Sequence, residues 1–161
     1  MLLVSDAIQM IKRAGHDISD EYTTEECIVY LNIAIQQVAS MLANGKYKPM
    51  VKEITLHNGE SLPKNYMRAA GTYPMRITDG KVTFLEDDAE IRFRYFSTPN
   101  LLDANTKTMP YEHDAINQAI VRGAIILALN ENEYDLSQDT ALWQSLQTAI
   151  AGGLGAGSIN G

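Results

Sequence analysis

The sequence predicts an α+β chain that is mainly helical: a four-helix bundle core, an inserted small antiparallel β-region, and a flexible C-terminal tail. Three observations lead there. Apolar residues recur at three-and-four spacing over Cys27–Leu42, and they crowd nearly every side of Pro110–Leu129; the first pattern is an amphipathic helix and the second a buried one. Between these segments the period changes to alternation, around the turn signal Thr78-Asp79-Gly80. The last ten residues carry glycine at five positions and no helix or strand pattern. Residues 1–151 are thus expected to form one domain with a β-rich insertion at about 48–97, and residues 152–161 a flexible tail.

Taken in order, Ser5 is the expected N-cap of a first helix that carries Ile8, Met10 and Ile11 and stops at Gly15. His16 to Glu21 is a polar connection. Thr23 or Thr24 caps the second helix, Thr23 with Glu26 offering a capping box, and Asn44-Gly45 closes it. Met50–Leu56 alternates as a strand and ends at His57-Asn58-Gly59. Leu62–Met67 reads as irregular. Tyr73–Ile77 and Lys81–Leu85 flank the Asp-Gly turn as a hairpin. Ala89–Phe96 is a half-buried strand, with Ile91, Phe93 and Tyr95 on one face and Glu90, Arg92 and Arg94 on the other. A connector, Ser97–Met109, leads to a helix opened by Pro110, whose fixed φ suits the first helical position. Ala115, Ala119 and Gly123 give that helix a small-residue face. A last helix, from Ser137 or Gln138 to about Ala151, carries Leu142, Trp143, Leu146 and Ile150.

Composition narrows the function classes. The chain has 161 residues, net charge -7 and pI near 4.9, a balance that argues against binding DNA by phosphate neutralisation. A single cysteine, Cys27, permits no internal disulfide and no cysteine zinc cluster, and its helical context reads as a small buried hydrophobe. That usage fits a reducing cytoplasm. No signal peptide and no membrane span are expected.

No residue pattern assigns a catalytic, cofactor or metal site, and a non-enzyme is expected. Arg122, within the apolar helix, reads as a paired or snorkelling charge. His113 has no nucleophile or acid framing it. Glu86-Asp87-Asp88 lacks the alternating ligands of a calcium loop and reads as a solvated hairpin end. Asp135 and Asp139 read as helix N-terminal acids. Gly152-Gly153-Leu154-Gly155 follows a helix and lacks the Lys-Ser/Thr of a phosphate loop. Arg92 and Arg94 share a strand face without interleaved aromatics, so they read as an exposed face or a subunit contact. Two alternatives stand beside the resemblance below: a small metal-dependent nuclease or hydrolase using Glu86–Asp88, and a cytoplasmic module whose helical core holds a ligand.

The segments TTEECIVYLNIAIQQVASML, TYPMRITDGKVTFLEDDAEIRFRYFSTPNLL and PYEHDAINQAIVRGAIILAL, with the final LWQSLQTAIA, carry a resemblance. In their order, the chain resembles the head-to-tail adaptor (head completion or connector) proteins of tailed bacteriophages, over about Ser5–Ile150. The resemblance implies a structural virion protein assembled in the bacterial cytoplasm. It also implies a homo-oligomeric ring, commonly of twelve subunits, docked on the portal protein and joined to tail or neck proteins. DNA would pass through its channel without specific binding, and no cofactor or membrane is involved. The implied portal or partner contacts are Gly152, Gly153, Leu154 and Ile159 in the tail, with Arg92, Arg94, Leu101 and Leu102 as further candidates.

Overall fold

A computed structural model describes residues 1–14, 22–129 and 139–159, with backbone only for residue 149 and residues 152–159. The chain divides into two compact units, Met1–Gly45 with Pro99–Gly161, and Lys46–Thr98. Among the described residues the architecture is α+β, with four α-helices and two small antiparallel sheets, and is not a four-helix bundle core. The bundle expectation fails for two reasons. The helices are unequal members arranged on one hub, and the β segment builds a hydrophobic core of its own.

In the helical unit, α1 (Val4–Ala14), α2 (Thr24–Asn44) and α4 (Thr140–Ile159) all pack on α3 (Asp114–Leu129), most extensively α2. Their shared interior holds Ile11, Leu31, Ile35, Leu42, Ile116, Ile120, Leu127, Leu142 and Leu146, each at most 1% exposed. Burying side chains of this size contributes about 1.5–3 kcal/mol each, which offsets the entropy of ordering short helices. Thr23 caps α2 as expected, its hydroxyl accepting from the Glu26 N–H at 3.1 Å. By length and composition alone α2 could also cross a membrane (21 residues, mean hydropathy 1.3), although half of that window is buried inside the protein.

Three helix boundaries differ from the sequence expectation. Helix α1 begins at Val4, so Ser5 lies in its first turn and is not the cap. The reason is backbone pairing just upstream: Leu3 bridges Thr108, the Val4 N–H donates to Lys107 O, and the Met109 N–H donates to Leu2 O. Helix α3 begins at Asp114, not Pro110, because residues 110–113 form a turn gripped by Asn117. Helix α4 continues to Ile159, through the glycines expected to be a tail. Glycine costs only about 1 kcal/mol per position, and extending an existing helix is far easier than nucleating one. The expected features at Gly15, His16–Glu21, Asp135 and Ser137–Gln138 lie outside the described residues.

At the end of α2, Gly45 has φ -81°, and Lys46 takes the left-handed position at φ 58°. Glycine at 45 leaves room for Ile150 of α4, since an added Cβ would sit 2.6 Å from Ile150 Cδ1 and that side-chain end would have to shift.

In the β unit, β1 (Val51–Leu56), β5 (Ile91–Ser97) and β2 (Tyr66–Ala69) form one antiparallel sheet in the order β1-β5-β2. Strands β3 (Met75–Thr78) and β4 (Lys81–Phe84) form a separate hairpin. Asp79 (φ 51°) and Gly80 (φ 75°) make its two-residue turn, as the Asp-Gly signal predicts. Strand β2 begins inside Leu62–Met67, which reads as irregular, and runs two residues beyond it. Four residues are too few to show a period, and this strand exists because β5 offers an edge to pair with. The core comprises Leu56, Val82, Phe93 and Tyr95, with Tyr66, Tyr73 and Phe84 packed against it.

Candidate functional site

The face of the three-stranded sheet opposite that aromatic core gathers the charged candidates. Cross-strand partners share a face, so the pairs Glu53↔Arg94, Thr55↔Arg92, Val51↔Phe96 and Arg68↔Phe96 place three arginines and one glutamate together. The Arg68 guanidinium carbon lies 5.3 Å from the Phe96 ring centroid, within cation–π reach. Arg92 is 85% exposed, and Glu53 approaches it only at 3.9 Å. Such a pair is worth little, and Arg92 is available to an outside anion. Arg94 is likewise exposed.

The strand carrying these arginines is held from behind. Phe93 and Tyr95 stack at 6.0 Å, and Tyr73 meets Phe93 edge-on at 4.9 Å. The Tyr73 hydroxyl accepts from the Arg94 N–H at 2.9 Å, and the Tyr95 hydroxyl donates to Asn65 Oδ1 at 2.9 Å. Aromatic residues on the hidden face thus fix the backbone from which Arg92 and Arg94 project. Sequence alternation shows the two faces but not these tyrosine hydroxyl anchors.

The connector candidates separate. Leu101 is 46% exposed, whereas Leu102 is 5% exposed and belongs to the core of the helical unit. Asn32 of α2 accepts from the Leu102 N–H at 2.7 Å and donates to the Leu102 carbonyl at 3.0 Å. Beyond it, Asp103 accepts from the Asn105 N–H and the Thr106 hydroxyl, which together hold its carboxyl below the ordinary 3.8. The connector is therefore fastened at Leu102, at Asp103 and at buried Met109, while most of its other residues meet solvent. Gly152, Gly153, Leu154 and Ile159 lie on the α4 backbone, and their side chains fall outside the described residues.

The other sequence candidates take ordinary positions. His113, Arg122 and Glu86–Asp88 are exposed, and Cys27 is fully buried. Asp139 caps α4, accepting from the Leu142 N–H at 2.8 Å. One cluster is not evident from sequence: His57 pairs with Glu60 through Nδ1 and lies 3.6 Å from Glu90 through Nε2, with all three exposed. Among the described residues, no group of three or more His, Cys, Asp or Glu side chains has the geometry to hold a metal ion.

Charge is divided between the two units. Lys46–Thr98 holds nine of the thirteen basic residues against seven acids, a net of +2. The remainder holds four basic and thirteen acidic residues, a net of -9. No protein-family model matches the chain, and no curated protein or solved structure matches it either.

Proposed function

We propose that this chain is a structural, non-enzymatic head-to-tail adaptor of a tailed phage, forming a ring between the portal protein and the tail or neck proteins. One observation carries the reading. The order of two helices, an antiparallel β unit, a connector and two helices is the order of the family the sequence resembles. The β unit has its own aromatic core, so it can present a shaped surface as a module. The strongly acidic helical unit suits a channel wall along which DNA slides without adhering. The virion neck is the corresponding location, with assembly in the bacterial cytoplasm.

Electron microscopy of lysates tests the proposal. A phage lacking this chain is expected to leave DNA-filled heads and separate tails, and supplying the chain in trans is expected to restore joined particles. Normal yields of joined, infectious particles in its absence would refute it.

A further inference from the structure

We propose that the arginine-bearing face of the sheet is a docking surface for a second copy of this chain, which it meets through the acidic N-terminal end of α2. Three observations support that occupant. Arg68, Arg92 and Arg94 face the same way, with Glu53 among them and Glu90 two residues before Arg92 at the end of the row, on a unit of net +2. The rest of the same chain carries net -9, so the most available complementary partner is another subunit. Glu25 and Glu26 are adjacent, both exposed, and stand in the first turn of α2.

Charge complementarity of this kind joins one surface to a different surface, so the contact is head-to-tail. A heterologous contact closes into a ring when its rotation allows, and otherwise propagates as a filament. Arginine suits the role because its planar fork engages carboxylates in bidentate fashion. Phe96 lies buried beneath Arg68, at 5% exposure, and gives the patch an apolar floor beside the strand. The inference deepens the adaptor reading, on which it rests for the closure of the ring. The charge pairing itself stands on the sequence and the sheet register.

Sedimentation velocity on the full chain tests it. Self-association is expected at about 50 mM salt and should weaken at least tenfold at about 500 mM, where the screening length falls to a few ångströms. The variant Arg92→Glu/Arg94→Glu should fail to associate, as should Glu25→Lys/Glu26→Lys, with circular dichroism confirming that both are folded. Mixing the two variants should restore association, because both pairings between unlike variants then carry opposite charges, whereas each variant meets itself with like charges. A chain that stays monomeric at low salt, association indifferent to salt, or variants that associate like the parent would overturn the proposal. So would a mixture of folded variants that stays apart. Binding of nucleic acid to the arginine face in place of self-association would also overturn it. A chain that self-associates by this face while proving dispensable for head–tail joining would defeat the adaptor reading alone. A monomer needed for joining would defeat this inference alone.

Discussion

Asn117 is fully buried on α3, where its side-chain oxygen accepts from the Tyr111 N–H at 3.1 Å and its amide donates to the Tyr111 carbonyl at 2.6 Å. Asn32 treats Leu102 in the same way from α2. Each asparagine satisfies both backbone groups of one residue between β5 and α3, groups that would otherwise be left without partners at a cost of about 1–3 kcal/mol each where buried. Asn117→Ala is therefore expected to lower stability by about 2–3 kcal/mol in urea unfolding; a change under about 0.5 kcal/mol would show that the clamp contributes little. Asp114 adds a pH dependence. Its carboxyl is held below the ordinary 3.8, chiefly by the amino group of Met1 and then by Asn117, with burial opposing them. A carboxylate with a lowered folded value contributes stability that is present above pH 3.8 and is lost as pH falls through the folded value. The thermal midpoints of the parent and Asp114→Asn should thus differ at pH 6 and converge towards pH 2. Parallel profiles would remove the carboxylate from the account.

Among the elements, the β3–β4 hairpin and strand β5 were legible because their signals are local. Asp79-Gly80 specifies the turn, and the alternation of Ile91, Phe93 and Tyr95 specifies the buried face. Gly80 has nothing within 4 Å of a would-be Cβ, so Gly80→Ala tests backbone strain alone. It is expected to cost about 1–2 kcal/mol, read as a lower midpoint in chemical denaturation. An unchanged midpoint would mean that the turn relaxes to a conformation that accepts alanine. The order β1-β5-β2 was not legible, because the pairing of β5 with two distant segments leaves no trace in any short window. The start of α3 differs from the Pro110 expectation for a related reason. Proline suits a first helical turn, but Asn117 reaches back six residues and holds Tyr111 in a non-helical turn. The glycines after Ala151 read as a flexible tail, yet α4 runs through them to Ile159.

For the whole molecule, residue patterns led to separate helical and β segments but overstated the bundle. Counting helices does not show that α3 is the hub or that the β unit closes a core of its own. Arg92 and Arg94 were legible as an exposed pair, and the addition of Arg68 needed the register of β2 against β5. Leu102 could not be told from Leu101 without the Asn32 clamp. The adaptor reading makes the acidic helical unit and the basic sheet face parts of one repeating assembly. Electron-microscopic class averages of the purified chain mixed with its cognate portal rings test this most directly. The account predicts a second, rotationally symmetric layer of the chain on one end of each portal ring. Bare portal rings at saturating concentrations of the chain would contradict it.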